Sequence, residues 1–278
     1  MEEHPFTSDR WLKNLNNLNV QEKWFVNLDK NSEASSFAYM PNKSVSSIFL
    51  GSFPIWEIVT GALSNNMEFF YGSVVNEFWE LLGKISGLQF DTLSNRLEIL
   101  DQLNIGITDI LYKVDRHPSN CSRDECLTKL KYNNILELKN HFPELKNIFI
   151  TSGGRGSIQN LNQGNKSVAT WFKDSVSDQT NVGGFNSIGF VKRITIGSSK
   201  FNLIYLFSPS GMANTSLSGI LKRNNNFGEL SLNINMFRKI QWGYFIQKYC
   251  FDEKGFDKLD RIYHYVNSNP DLQKFFEN

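Results

Sequence analysis

The chain has 278 residues, of which 40% are apolar and 21% charged, a balance that supports a sizeable buried core and argues against disorder. Lys and Arg total 29 against 28 acids, for a formal charge of +1, which excludes a protein that grips nucleic acid by bulk charge and leaves any such face to local clusters. Three cysteines at irregular spacing, Cys121, Cys126 and Cys250, make no disulfide framework or zinc site and predict free thiols in a reducing cytosol.

Residues 1–45 read as an N-terminal extension. Its acidic start, Met1-Glu2-Glu3-His4-Pro5, lacks an apolar run, so no signal peptide is expected. No stretch approaches the ~20 apolar residues of a membrane span. Trp11, Leu12, Leu15, Leu18, Trp24 and Phe25 recur at helical spacing and predict one or two amphipathic helices over 8–28. A polar loop with Pro41 is expected over 29–45. Ser46 to Gly51 reads as a short buried strand that breaks at glycine. A helix is predicted over 76–87, and another from a cap at Asp91 to about residue 103. Ile105 to Ile110 reads as a second strand, 122–141 as one long helix on the Leu127, Leu130, Ile135, Leu138 face, and Asn147 to Thr151 as a third strand. A helix around Trp171 and Phe172 precedes two strands, 189–196 and 201–208, joined by a turn at Gly197-Ser198-Ser199. The tail, 221–278, is expected to be helical and packed on the core within a single domain.

Strands alternate with helices from 46 to 208. That order predicts an α/β fold: a three-layer α/β/α sandwich with a central, mostly parallel four-stranded sheet. Such sheets bind ligands beyond the carboxyl ends of their strands, so four strand exits carry the search for a site. The first reads Gly51-Ser52-Phe53-Pro54, followed by Phe70-Tyr71-Gly72 and Asn76-Glu77-Phe78-Trp79. The second ends in Asp109 and runs on to Arg116-His117. The third is Ser152-Gly153-Gly154-Arg155-Gly156-Ser157, glycine-rich but without the Lys-Ser/Thr ending of a P-loop. The fourth is Ser208-Pro209-Ser210-Gly211-Met212-Ala213-Asn214.

The Gly-Ser-Phe-Pro turn, Tyr-Gly and the Asn-x-Phe-Trp helix start resemble the first motif of the uracil-DNA glycosylase superfamily, and the Ser-Pro-Ser-Gly-Met-Ala-Asn loop resembles its second. The likeness covers residues 46–220 and is greatest to the hypoxanthine-DNA glycosylase branch, next to the mismatch-specific uracil-DNA glycosylases. It implies a glycosylase-like core that flips a base out of DNA and hydrolyses its N-glycosidic bond. Asn76 is the implied polar group of the reaction, orienting water without carrying charge; read alone, it caps the following helix. Asp109 either holds a pocket group or water, or bonds neighbouring backbone. The implied base pocket comprises Gly51, Ser52, Phe53, Pro54, Phe70, Tyr71, Ser152 and Gly153, with core packing the other reading of Phe70 and Tyr71. Ser208, Ser210 and Gly211 are expected to touch DNA and Arg155 to meet a phosphate; Met212 either wedges into the space of the extruded base or is a buried loop residue, and Asn214 either reads the opposite strand or caps the helix over 215–221. Arg116 could reach a phosphate or cover the pocket. The pairs Lys192-Arg193, Lys222-Arg223 and Arg238-Lys239 read either as solvated surface or as backbone contacts.

The first-exit turn has no Asp or Asn, which shifts weight to Asn76. Neither motif holds a lysine, which argues against a Schiff-base lyase. No metal or cofactor is implied. The expected partner is double- or single-stranded DNA with a modified base: a deaminated base such as hypoxanthine or uracil, or a bulky modified base of phage DNA in a defence role. The protein is expected to be a cytoplasmic monomer, nucleoid-associated when on DNA. The alternatives are a non-catalytic nucleotide or DNA binder of the same fold, and a small-molecule α/β enzyme.

Overall fold

The computed structural model describes residues 1–8, 11, 21–28, 35–60, 67–151, 168–176, 182–188, 190–224, 230, 232–251 and 256–277. The strands are β1 (Glu2–Glu3), β2 (Trp24–Leu28), β3 (Ser35–Tyr39), β4 (Ser47–Gly51), β5 (Ile105–Asp109), β6 (Leu111–Arg116), β7 (Leu127–Tyr132), β8 (Asn147–Ile150), β9 (Val182–Ile188), β10 (Val191–Ile196) and β11 (Ser199–Tyr205). The helices are α1 (Trp56–Thr60), α2 (Phe78–Ser86), α3 (Leu93–Leu103), α4 (Ile135–His141), α5 (Val168–Ser175), α6 (Asn214–Arg223), α7 (Ile234–Cys250), α8 (Asp257–Asn267) and α9 (Pro270–Glu277).

Among the described residues the main sheet has eight strands in the order β2-β3-β5-β4-β8-β11-β10-β9. Its centre, β5-β4-β8-β11, is parallel throughout. All four are among the five strands the sequence predicts, and β10 is the fifth. The expectation of a mostly parallel four-stranded sheet is nonetheless corrected, because antiparallel strands extend both edges and make the sheet mixed. Two of the edge strands, β2 and β3, were hidden for physical reasons. Trp24 and Phe25 fit a helical stripe, yet Trp24-Phe25-Val26 is equally β-favouring and pairs with β3. Ser35-Ser36-Phe37-Ala38-Tyr39 is polar enough to pass for loop, but all five residues are buried.

The connections fix the layers. From β4 the chain passes through α2 and α3 to β5 on one side. From β5 it returns through α4 to β8 on the other side of β4. Right-handed crossovers running in opposite directions place their helices on opposite faces. α7 joins the α2 face: Trp242 lies 5.8 Å from Phe49 and 5.6 Å from Phe78, ring centre to ring centre. The chain order reverses at β4, so the crevice beyond the ends of β4, β5 and β8 is the topological switch point.

The predicted helix over 122–141 is also corrected. A 3-10 turn (Asp124–Cys126) leads into β7, and only α4 is helical. Asn133 and Asn134 break the pattern. Buried Asn133 donates to the carbonyl of Asp109 at 2.9 Å and to Thr108 Oγ1 at 2.7 Å, while Asn134 caps α4 by accepting from the Glu137 amide at 3.1 Å. β1, β6 and β7 form a second, three-stranded sheet. The 3-10 turn brings Cys121 and Cys126 into a disulfide with Cα atoms 6.1 Å apart, within bonding reach. Of the three thiols expected to be free, only Cys250 is. No helix among the described residues is long and apolar enough to cross a membrane.

Candidate active site

The turn after β4 is built on close approach. A Cβ on Gly51 would lie 2.0 Å from Asp109 Oδ1 and 2.6 Å from the Tyr71 hydroxyl. Only glycine lets the ends of β4 and β5 and the Tyr71 ring converge. Tyr71 takes a left-handed backbone, φ 52°, and its ring stacks on Phe78 at 4.0 Å and 7°. Its hydroxyl meets Thr151 Oγ1, at the end of β8, at 2.6 Å. Burial, reinforced by the Asp109 charge, raises the phenol well above its usual pKa, so Tyr71 stays protonated.

Asp109 is buried and 3.0 Å from Nε2 of His4. His4 Nδ1 accepts from the Phe6 amide at 3.3 Å, so the ring proton sits on Nε2 and is donated to Asp109 Oδ2. Burial lowers the His4 pKa against the pull of Asp109. The N-terminal extension therefore delivers the partner of Asp109. No local pattern singled out His4; it is one of four histidines in the chain.

Phe53 is buried edge-on to His4 at 5.4 Å, with the Arg116 guanidinium 5.4 Å above its ring. Arg116 does not reach outward as expected. It is buried and donates to Glu2 at 2.8 Å, to the Cys121 carbonyl at 2.8 Å and to the Pro54 carbonyl at 2.5 Å. Phe70 lies behind the site, 4.8 Å from Phe6 and 5.8 Å from Trp24. It is 1% exposed, which places it in the core, while Tyr71 is the ring at the strand exits. Asp124, a residue sequence reasoning passed over, faces this turn; burial pushes its carboxyl up to about 6 against the influence of the Ser52 hydroxyl, with Glu125 and Asp109 adding to the rise.

The two motif loops meet. Asn76 and Ser210 form an isolated antiparallel bridge, and the Glu77 amide donates to the Pro209 carbonyl at 3.1 Å. Asn76 Oδ1 accepts from the Phe78 amide at 2.9 Å, so from the position before the N-cap, Glu77, the side chain satisfies the first amide of α2. The residue is half-buried beside the second loop. Ser208 accepts from the Ser210 amide at 3.2 Å, and Gly211 is open to solvent. Val74 and Val75, just before Asn76, are 62% and 78% exposed.

Arg238 holds these loops from behind. It is 1% exposed, donating to Glu77 at 2.5 Å and to Asn214 Oδ1 at 2.6 Å. Burial lowers its pKa against the pull of Glu77. Neither surface solvation nor DNA contact, the two expectations for this residue, applies to it. Asn214 is thereby committed to Arg238. Lys222 and Arg223 are exposed. Ser152, Gly153 and Arg155 lie outside the described residues, as does the side chain of Met212, whose backbone belongs to a 3-10 turn (Gly211–Ala213). Among the described residues, no group of three or more His, Cys, Asp or Glu side chains is placed to hold a metal ion.

No protein-family profile matches the chain. A hypoxanthine DNA glycosylase of Methanosarcina barkeri is 32% identical over 114 residues, which make up 40% of this chain and 66% of that protein. The match thus spans just under two thirds of the relative. A Methanosarcina acetivorans protein provisionally assigned as a uracil DNA glycosylase, solved by NMR, is 22% identical over 50% of this chain and 86% of its own, at a TM-score of 0.35.

Proposed function

We propose that this chain, which belongs to the uracil-DNA glycosylase superfamily on its hypoxanthine-DNA glycosylase side, is a monofunctional DNA glycosylase that excises a flipped-out base and leaves an abasic site. The observation that carries the reading is the union of the two motif loops, through Asn76 with Ser210 and Glu77 with Pro209, beside the Gly51, Asp109 and Tyr71 cluster.

The transition state for breaking an N-glycosidic bond resembles an oxocarbenium ion. Fixed dipoles and positioning supply much of the catalysis. The Asn76 amide orients water near the sugar. Tyr71, held protonated, and the backbone of the Gly51–Pro54 turn line the base pocket. Ser208 and Ser210 take backbone phosphates. The absence of lysine from both loops fits direct hydrolysis rather than a covalent imine.

The substrate read from the relative is a deaminated base, hypoxanthine first and uracil second. A bulky modified base of phage DNA is the other substrate of this reading, because the segment between Pro54 and Phe69 is long and carries Trp56. Incubation with duplex and single-stranded oligonucleotides bearing hypoxanthine, uracil, xanthine or modified cytosines, followed by alkali, tests it. A strand break at one of these bases is the expected result. No break at any of them, with tight binding to one, would instead favour a non-catalytic binder, the reading to which the charge of +1 and the carboxylate-free turn lend weight.

A further inference from the structure

One carboxyl group at the Gly51–Pro54 turn comes from outside both motif loops. Asp124 lies on the 3-10 turn between β6 and β7. Three restraints bring that turn to the site. The Cys121–Cys126 disulfide closes it. Arg116 spans the gap, donating to Cys121 at 2.8 Å and to Pro54 at 2.5 Å. Ser122 bonds Glu57 of α1. The turn so held sets Asp124, a partly exposed residue, beside the Ser52 hydroxyl. The charged and titratable groups facing Asp124 are Glu125 on its own turn, Asp109 of β5, Arg116 of β6 and Tyr71.

We propose that Asp124 is the carboxylate that activates water at this site, a role for which the Gly51-Ser52-Phe53-Pro54 turn has no side chain of its own. The inference rests on the glycosylase reading. In the step, the water oxygen bonds to the sugar C1′ and its proton passes to the Asp124 carboxylate. The C1′–N bond breaks, its electron pair leaves on the base, and the base is protonated from solvent.

The other polar groups are less suited. Asp109 is buried, accepts from His4 and packs against Gly51. Asn76 is neutral, with its oxygen engaged by the Phe78 amide; it can orient water but cannot take a proton. Asp124 alone among the three combines charge with partial exposure. A carboxyl raised to about 6 is a stronger base than a free one and still ionised at neutral pH.

The test is single-turnover base release from a deoxyinosine duplex, or a deoxyuridine duplex if that is cleaved faster, between about pH 5 and pH 8. The wild-type rate should rise with pH through about 6. Asp124→Asn should lose about 100-fold at neutral pH and flatten this limb, while binding to the uncleaved duplex changes less than about threefold. Asp124→Glu should restore part of both rate and limb. A wild-type profile with no acid limb overturns the assignment without any variant. So does an Asp124→Asn variant that keeps the wild-type rate, or one in which rate and duplex binding fall together. A wild type that releases no base defeats the glycosylase reading instead, so the two failures are distinguishable.

Discussion

Adding one methyl group at Gly51 probes the convergence on which the site depends. The new Cβ would stand 2.0 Å from Asp109 Oδ1, 2.6 Å from the Tyr71 hydroxyl and 3.1 Å from its ring. Ordinary contact between such atoms is about 3.5 Å, so the carboxylate must retreat by more than its hydrogen bond tolerates. That bond, 3.0 Å to His4, joins two buried groups. Leaving a buried carboxylate without its donor costs about 3 kcal/mol, and overpacking adds about 1–3 kcal/mol. Gly51→Ala should therefore lower stability by about 4–6 kcal/mol, or roughly 10–20 °C in Tm for a chain of this size. Thermal unfolding followed by circular dichroism reads this directly. A Tm within about 2 °C of wild type would mean that Asp109 and Tyr71 do not press on Gly51 as described. Where the variant can still be assayed below its Tm, base release should fall as well, because both side chains are displaced.

Other substitutions test separate links. Arg238→Met removes the fork between Glu77 and Asn214; stability should fall by about 2–4 kcal/mol in urea titrations, and base release should drop as the two loops lose their common tie. Arg238→Lys should recover little of this, since an ammonium cannot reproduce the fork. His4→Gln probes acid stability. Burial lowers the His4 pKa, so the unfolded chain binds the proton more readily and wild-type stability falls as pH drops below about 6.5; the variant should lose that limb, and an unchanged stability profile would count against a buried neutral histidine. Asp124→Asn has the opposite sign. A carboxyl raised from 3.8 to about 6 contributes stability below its unfolded pKa and loses it as pH rises through about 6. After discounting for its partial exposure, the variant should be about 1–2 kcal/mol more stable than wild type at neutral pH and gain nothing at pH 4. A variant less stable at neutral pH would show that Asp124 serves packing.

Residues that act through local pattern were legible in the sequence. The four parallel strands announced themselves as apolar runs ending at glycine or polar residues, and the loops leaving β4 and β11 carried recognisable motifs. The bridge between Asn76 and Ser210 joins the two segments those motifs singled out. What stayed hidden is held by long-range contact. His4, Asp124 and Arg238 sit on an N-terminal strand end, a 3-10 turn and a C-terminal helix that match no motif, and each reaches the site only through tertiary pairing. Arg238 beside Lys239 reads as a solvated pair because charge pattern carries no sign of burial. The spacing of Leu127, Leu130, Ile135 and Leu138 imitates a helix, and only the hydrogen bonds of Asn133 to strands β3 and β5 explain why the chain turns there. Phe70 and Tyr71, adjacent and aromatic, were indistinguishable until the left-handed backbone at Tyr71 sent them in different directions.

The most direct measurement compares Asn76→Ala and Asn76→Asp with wild type in single-turnover base release and in binding to the uncleaved duplex. Asp keeps an oxygen to accept from the Phe78 amide, whereas Ala leaves that amide without its partner at a cost of about 1 kcal/mol. A wild type that generates alkali-labile sites, alongside two variants that bind DNA yet cut at least about 100-fold more slowly, is what a neutral amide working at the joined loops predicts. Equal cutting by wild type and both variants would contradict it, reducing Asn76 to a partner of the Phe78 amide.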